Sequence, residues 1–260
     1  MSIFDIQIIA RNYDKGRPHF SPIVMDRIRR VVGSHRHFGH VADINCGMGE
    51  STLALRTIAD RISASHPTAA MLELAPPDPK ITYQVNSDQQ LDLPDASVDF
   101  ALLHLAFHWL ERKNMARELH RVLKPGAWLV IYQNAFSGTM HFCPEFTDWY
   151  HGAFQEKMGF PFSEHQELTM DEAEDYGFDW VERERYSHDV MFTKDELVHY
   201  LLTHVTANDP ELDDTSDAEL NDQWEENKKW LDAELKAFFR KKGHLFPFGG
   251  SIWYLKSRAQ

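Results

Sequence analysis

A short apolar segment at residues 41–44 contains Asp43 and is followed at once by a cluster of small residues that includes Gly47 and Gly49. Glycine adopts backbone angles that a side chain forbids, and it lets a ligand approach the main chain. The N–H groups at the start of a following helix would add partial positive charge. The stretch could therefore hold a ligand, although an ordinary loop before a core helix explains two glycines alone equally well.

The pattern around this stretch predicts alternating strands and helices. Apolar residues between residues 53 and 62 have the spacing of one buried helix face, so a helix is expected over about residues 50–59. The segments that we predict as strands are residues 41–44, 61–65, 81–85, 98–105 and 128–132, and the other helices of this half are residues 22–32, 67–75 and 115–123. The strand at residues 61–65 has little apolar content for a strand that should be buried on both faces. Strands that alternate with helices favour a parallel, doubly wound sheet with right-handed crossovers.

Residues 134–175 leave this alternation and are dense in aromatic side chains. A helix is predicted over about residues 144–158, because Pro144 suits the first turn of a helix. A long strand is expected next, over residues 177–191.

The C-terminal part contains a capping box, in which Thr193 and Glu196 are spaced to begin a helix that runs through residue 204. Residues 208–222 are acidic and are predicted to be a loop. Ser216 with Glu219 makes a second capping box, so a further amphipathic helix is expected to follow it and to end at Gly243. A last strand is expected over residues 251–256.

Composition limits the possible functions. At 260 residues the chain is one large domain or one domain with a substantial insertion. The net charge of −13 argues against a nucleic-acid partner, whose phosphates are bound by Lys and Arg, and against an anionic membrane surface. Cys46 and Cys143 make no disulfide framework, and no secretory signal is visible, so a cytoplasmic location is expected. The histidines show no metal-site spacing, so we expect no metal.

Three segments carry a resemblance to a known family. They are the glycine stretch at residues 40–53, residues 93–109 (LPDASVDFALLHLAFHW) and residues 118–131, where a Leu-Lys-Pro-Gly turn precedes an apolar strand. Together they resemble the class I S-adenosylmethionine-dependent methyltransferases, in the small-molecule, type 11-like branch. The resemblance covers roughly residues 13–132. It implies an α/β fold with a doubly wound, seven-stranded, mostly parallel, Rossmann-like sheet, as a single domain over residues 1–260 with helical lid insertions at 134–175 and 193–243.

The resemblance also implies S-adenosylmethionine as the cofactor, placed where the first and fourth strands end. Gly47 and Gly49 would pass beneath it, Asp43 would act on its amine directly or through water, and His104 and Leu105 would lie near the transferable methyl group. Tyr13 lies on a segment that either folds over the cofactor or forms a surface turn. The full set of predicted cofactor-binding residues is Tyr13, Asp43, Asn45, Cys46, Gly47, Gly49, His66, Met71, Ser87, Asp88, Gln89, His104 and Leu105.

Methyl transfer from a sulfonium is an in-line displacement, so the protein must mainly align the acceptor and exclude water. A carboxylate acceptor needs no base, whereas a hydroxyl or an amine would benefit from a nearby imidazole. His108, which follows the fourth strand, is the predicted catalytic residue. The alternative is that His108 and Trp109 simply pack at the start of a helix.

The sequence departs from the family pattern at three places. Asn45 stands where the family has the first glycine of the turn, and asparagine tolerates left-handed backbone angles. His66 stands where the family usually has an acid that binds both ribose hydroxyls, and a neutral imidazole can accept only one hydrogen bond. The acid that normally meets the adenine is displaced or replaced within residues 86–89.

Three hypotheses follow. The first is a methyltransferase for a small organic molecule, most simply one that methylates the oxygen of a carboxylate or a hydroxyl. The second is a methyltransferase-like enzyme that has lost methyl transfer and catalyses a cyclisation or a rearrangement. The third is a non-catalytic subunit that docks through the acidic residues 208–222. The sequence makes no prediction of oligomeric state.

Overall fold

The computed structural model describes residues 16, 18, 21–86, 90–104, 112–158, 167–206 and 217–259. In this part of the chain the helices are α1 (Ser21–Val32), α2 (Glu50–Leu55), α3 (Ala69–Leu72), α4 (Arg112–Val122), α5 (Pro144–Trp149), α6 (Gln155–Met158), α7 (Met170–Asp175), α8 (Lys194–Thr206) and α9 (Asp217–Leu235). A π-helical segment, Tyr150–Phe154, joins α5 to α6. The strands are β1 (Phe38–Ile44), β2 (Ala59–His66), β3 (Ile81–Val85), β4 (Val98–His104), β5 (Leu123–Phe136), β6 (Phe178–Phe192) and β7 (His244–Ser257).

The strands form one seven-stranded sheet in the order β3-β2-β1-β4-β5-β7-β6. The pairs β1–β2, β1–β4, β2–β3 and β4–β5 are all parallel. The strand order reverses between β1 and β4, and ligands bind at such a point in open α/β sheets. The predicted doubly wound, seven-stranded, mostly parallel sheet is confirmed.

The central strands lie in the core, as a parallel sheet covered by helices requires. Most of β1 is buried, and so is most of β4. The strand with the poorest sequence pattern, β2, is also buried at its carboxyl end, where Ala64 has no exposed surface and Ser65 and His66 are about 5–6 % exposed. Small or polar side chains, rather than large apolar ones, fill that part of the core.

Two compact units alternate along the chain. Of the described residues, unit 1 contains 16, 18, 135–158, 186–206 and 217–249, and unit 2 contains 21–86, 90–104, 112–134, 167–185 and 250–259. The predicted single domain with two insertions stays a prediction. Among the described residues, every helix is too short or too polar to cross a membrane.

Aromatic side chains build the core of unit 1. Phe136 is at the centre of this core, and five other rings lie with their centroids 5.2–6.4 Å from its own. Those rings belong to Phe146, Tyr150, Tyr200, Phe246 and Phe248. The aromatic density of residues 134–175 therefore supplies much of this core.

Several predicted boundaries differ from the structure. The helix expected over residues 50–59 ends at Leu55, because the chain turns at residues 56–58 and enters β2 at Ala59. Ile62, which the periodicity assigned to the helix face, is a buried residue of β2, so the strand predicted at residues 61–65 is confirmed. The helix-like spacing of the apolar residues continues into the strand, so the predicted helix was too long.

The predicted acidic loop at residues 208–222 is wrong for residues 217–222, which form the first turns of α9. Acidic side chains suit the first turn of a helix because they face its partial positive charge. Residues 208–216 lie outside the described residues. Helix α9 ends at Leu235 and not near Gly243 as predicted. The last strand, β7, begins earlier than predicted, at His244.

Candidate functional site

Asp43 lies at the end of β1 and is completely buried. Its Oδ2 accepts hydrogen bonds from the hydroxyls of Ser51 and Thr52 in α2, over 2.8 and 2.5 Å. No described residue donates a hydrogen bond to its other oxygen, Oδ1, which is also buried. Burial raises the pKa of Asp43 to about 6, against the opposing effect of the Thr52 and Ser51 hydroxyls. A ligand that supplied a donor or a positive charge would satisfy this carboxylate.

The turn after β1 contains three residues with positive φ: Asn45 at 58°, Gly47 at 56° and Gly49 at 83°. Asn45 therefore adopts the left-handed conformation that the sequence analysis expected it to tolerate. A Cβ at Gly47 would lie 3.6 Å from Cε of Met71, so the turn packs against α3. A Cβ at Gly49 would lie only 2.6 Å from the hydroxyl oxygen of Tyr83. Gly49 thus makes room for a β3 side chain of the protein itself.

Cys46 also lies in this turn, and its thiol is buried. Burial raises the pKa of Cys46 far above its ordinary value, and the nearby charge of Asp43 raises it further. A thiol in this state is a poor nucleophile. The backbone N–H of Cys46 donates to the carbonyl of Ser65 over 2.9 Å, so the residue ties the end of β1 to β2.

His66 ends β2 and is 5 % exposed. Its Nδ1 accepts a hydrogen bond from the backbone N–H of Thr68 over 3.2 Å. A neutral imidazole that accepts at Nδ1 carries its proton on Nε2, so Nε2 can only donate. The one acceptor that a ribose hydroxyl would need on His66 is therefore bonded to the main chain instead.

His104 ends β4 and stacks on the ring of Tyr132, with centroids 4.0 Å apart and planes 4° from parallel. The two residues are register partners in β4 and β5. Tyr132 is 1 % exposed, so the pair forms part of the packed end of the sheet. Sequence reasoning missed Tyr132, although its place at the end of the next strand could have indicated it.

Strand register brings several predicted residues to one edge of unit 2. Ile44 pairs with Ser65 of β2 and with Leu103 of β4. The residues that follow each of these, Asn45, His66 and His104, therefore lie where three neighbouring parallel strands end. This is the position predicted for the cofactor.

Part of the predicted site falls outside the described residues: Tyr13, Ser87, Asp88, Gln89, Leu105 and the proposed base His108. Their roles stay predictions.

Sequence reasoning also missed three residues that shape the site. Ser51 and Thr52 fix Asp43, and Tyr83 closes on Gly49. The two hydroxyl residues directly after the glycine turn were a usable signal, because short polar side chains at a helix start often bond to neighbouring groups. Tyr83 offered none, since its contact depends on how β3 lies beside α2.

The described residues contain no cluster of three or more His, Cys, Asp or Glu side chains that could hold a metal ion. With the Cys46 thiol buried, their arrangement favours binding over nucleophilic catalysis. It combines a buried carboxylate, a turn of residues with positive φ and an imidazole with one fixed acceptor.

A family profile described as a methyltransferase domain matches residues 42–131, which contain this site. The ubiquinone/menaquinone biosynthesis C-methyltransferase UbiE of Rubrivivax gelatinosus is 32% identical over 116 residues, 39% of this chain and 46% of that protein. The O-methyltransferase cnsE of Penicillium expansum is 28% identical over 144 residues, 51% of each protein. The chain spans about half the length of the curated relatives it matches.

Solved structures share the fold. A proposed type II methyltransferase from Anaeromyxobacter dehalogenans superposes with a TM-score of 0.63 at 21% identity, over 89% of this chain and 95% of that one. The [4+2]-cyclase SpnF superposes with a TM-score of 0.52 at 14% identity, over 90% of this chain and 82% of that one. The domain match over residues 42–131 and the related sequences support a class I S-adenosylmethionine-dependent methyltransferase, and the solved structures share its fold.

Proposed function

We propose that this protein binds S-adenosylmethionine at the carboxyl ends of β1, β2 and β4 and methylates a small organic molecule. The observation that carries the proposal is Asp43, a fully buried carboxylate that leaves one oxygen without a donor among the described residues. Leaving such a group unpaired is costly, so its presence favours a ligand that pairs with it.

The chemistry of this ligand fits the groups at the site. The cofactor's ammonium group would supply both a donor and a positive charge to Oδ1 of Asp43. Asn45 and Gly47, with their positive φ angles, shape the main chain beneath it. His66, at the end of β2, would lie beside the ribose. When bound, S-adenosylmethionine supplies a reactive methyl group, and the protein's part is to align the acceptor and exclude water.

We infer oxygen as the acceptor atom, in a carboxylate or a hydroxyl. The relative named as an O-methyltransferase supports this part of the proposal. A carboxylate would need no base, which agrees with a site whose described residues offer binding groups. For a hydroxyl, His108 remains the proposed base. The net charge of −13 supports a small molecule over a nucleic acid as the substrate.

Isothermal titration calorimetry with S-adenosylmethionine and S-adenosylhomocysteine tests the binding site. Both ligands carry the ammonium group, so both should bind, and Asp43→Asn should weaken each by about tenfold to a hundredfold because a charge-assisted contact is lost. Asp60→Asn, an exposed position on β2, is the matched control and should bind normally. Absence of binding heat with the wild type would refute the proposal. Equal affinity of wild type and Asp43→Asn would place the ligand elsewhere.

A second candidate is an enzyme of this fold that no longer transfers methyl groups and catalyses a cyclisation or a rearrangement. The observation that favours it is His66, whose only acceptor is already bound to the N–H of Thr68, so the usual carboxylate contact with the ribose is absent. The same fold occurs in a solved structure that is named as a [4+2]-cyclase, SpnF. Candidate substrates incubated with and without cofactor separate the two functions. A product heavier by one CH₂ unit, formed only with stoichiometric cofactor, excludes the second candidate.

A further inference from the structure

Two neighbouring strand ends in unit 1 expose apolar side chains on one face. On β6, Met191 is 59% exposed while its neighbour Phe192 is 3% exposed. On β7, Leu245 is 39% exposed while its neighbour Phe246 is fully buried. Successive residues of a strand point to opposite faces. The inner face therefore belongs to the aromatic core, and the outer face carries Met191 and Leu245 where polar side chains would be ordinary.

A turn continues this outer face. The backbone N–H of His141 donates to the carbonyl of Leu245 over 3.1 Å. The side-chain Nε2 of His141 lies 2.7 Å from Oδ1 of Asp189. Asp189 lies two residues before Met191 and therefore on the same face of β6. The next residue, Phe142, has a relative exposure of 102% and a φ of 60°. A non-glycine residue in this region is strained. The turn thus holds a large aromatic ring away from the protein.

Basic residues flank the same face. Arg240, Lys241 and Lys242 are consecutive and exposed, and none forms an ion pair with a described residue. They lead directly into Gly243, where a Cβ would lie 3.0 Å from the sulfur of Met191. Three consecutive cations with no ion-pair partner among the described residues are a local exception in a chain of net charge −13. We call Phe142, Met191, residues 240–242 and Leu245 the basic aromatic face.

We propose that the basic aromatic face docks reversibly on the surface of an anionic lipid bilayer. Cationic side chains beside protruding apolar ones are what such a surface selects, because the cations meet the lipid headgroups and the apolar groups enter the boundary of the acyl chains. The shape favours a bilayer over an acidic peptide. Peptides are usually recognised by a groove or a pocket, whereas Phe142 stands outside any concavity.

The net charge of the chain led the sequence analysis to expect no membrane partner. Charges separated by more than about 8 Å are largely screened at physiological ionic strength. The cations next to the bilayer therefore dominate the attraction, and distant acidic residues contribute little. Asp189 is the acid named above on this face, and its Oδ1 is bonded to Nε2 of His141.

Vesicle co-sedimentation of the full chain tests the proposal. Vesicles of phosphatidylserine and phosphatidylcholine in equal parts should carry the protein down, and vesicles of phosphatidylcholine alone should not. Raising the salt from about 0.05 M to about 0.5 M should release most of the bound protein because the attraction is screened.

The variant series locates the contact. Each cation contributes about fivefold to binding near an anionic surface, so Arg240→Gln, Lys241→Gln and Lys242→Gln combined should weaken it by about a hundredfold. Phe142→Asn, which suits the left-handed backbone, should weaken it severalfold. Exchanging the cationic residue types while keeping each positive charge, with Arg240→Lys, Lys241→Arg and Lys242→Arg, should preserve binding. The matched control combines Arg36→Gln, Lys113→Gln and Lys229→Gln, which remove the same charge from exposed positions elsewhere and should change binding little.

Several results would overturn the proposal. They are no preference for the anionic vesicles, an equal loss in the control triple variant, or unchanged binding in both the basic triple variant and Phe142→Asn. A designed acidic amphipathic helical peptide is tested in parallel by fluorescence anisotropy. If it binds in a way that depends on Phe142 and residues 240–242 while vesicles do not, the face serves a protein partner and the lipid proposal fails.

Discussion

The hydroxyl of Thr52 donates a hydrogen bond to Oδ2 of Asp43 over 2.5 Å. The first turn of α2 thereby holds the acid at the end of β1, and the bond occupies only one of its two oxygens. Asp43 is buried enough for its pKa to rise to about 6 despite this bond and that of Ser51. The stability of the protein and its proposed affinity for a cationic ligand both depend on this carboxylate.

Asp43 should make stability depend on pH. The pKa of about 6 in the folded protein lies above the ordinary value of 3.8, so protonation favours the folded state. This contribution is complete below about pH 4 and is lost as the pH rises through 6. Relative to Asp43→Asn, which does not titrate, the wild type should lose on the order of 2–3 kcal/mol of unfolding free energy between pH 4 and pH 7. Urea denaturation across this range measures it, and a constant difference between the two proteins would contradict it.

The hydroxyl of Thr52 should oppose that shift. Thr52→Val removes a donor to the ionised carboxylate, so the pKa of Asp43 should rise further and the loss of stability should extend to higher pH. Thr57→Val, which removes an exposed hydroxyl bonded to the carbonyl of Ala54, is the control and should leave the pH profile unchanged. An identical profile for all three proteins would show that the short bond to Asp43 has little effect.

Replacing His66 by an acid should tighten cofactor binding. An aspartate at this position can still accept the N–H of Thr68, two residues ahead, with one oxygen. Its other oxygen becomes available to a ribose hydroxyl, and a charge-assisted contact of this kind contributes about 1–3 kcal/mol, or roughly tenfold or more in affinity. Calorimetry with S-adenosylhomocysteine measures the change.

His66→Asn is the matched control for this prediction. Its amide oxygen can serve Thr68 but adds no charged acceptor, so it should not reproduce the gain. If His66→Asp binds no better than His66→Asn, the ribose does not lie beside this residue.

Alanine should destabilise the protein more at Gly49 than at Gly126, a glycine of similar conformation. Gly49→Ala would place a Cβ at a φ of 83° and 2.6 Å from the hydroxyl of Tyr83. Gly126→Ala meets nothing within 4 Å at a φ of 74°, so it carries the backbone strain alone. We expect about 1–2 kcal/mol for Gly126→Ala and clearly more for Gly49→Ala in urea unfolding.

Tyr83→Phe tests the source of the difference. In the Gly49→Ala background it removes the clashing oxygen and should recover part of the lost stability. If the phenylalanine recovers nothing, crowding by the Tyr83 hydroxyl is not the cause.

The capping box of α8 should contribute measurably to stability. The hydroxyl of Thr193 accepts from the N–H of Glu196, and the carboxylate of Glu196 accepts from the N–H of Thr193 over 2.8 Å. Thr193→Ala should cost about 1 kcal/mol of unfolding free energy. Thr193→Ser keeps the acceptor and should restore most of it; an equal loss in both variants would mean that the methyl group, not the cap, matters.

Much of the fold was readable from the sequence because the relevant interactions are local. The predicted alternation of strands and helices placed β3 at the residues observed, and the Thr193–Glu196 spacing located the start of α8. Likewise, the tolerance of asparagine for left-handed angles explained how the turn survives without its first glycine. Such features involve residues only a few positions apart, so a single sequence contains both partners.

The sequence by itself determined the alternation of strands and helices, the glycine turn and the acid that precedes it. Only the tertiary structure decided which oxygen of Asp43 has no donor among the described residues, that the acceptor of His66 is already in use, and that the Tyr83 hydroxyl lies close to Gly49. Whether a polar atom is satisfied depends on burial and on the donors that packing and local turns bring to it. Likewise, the contact of Tyr83 with Gly49 joins residues far apart in the chain, which no local pattern specifies.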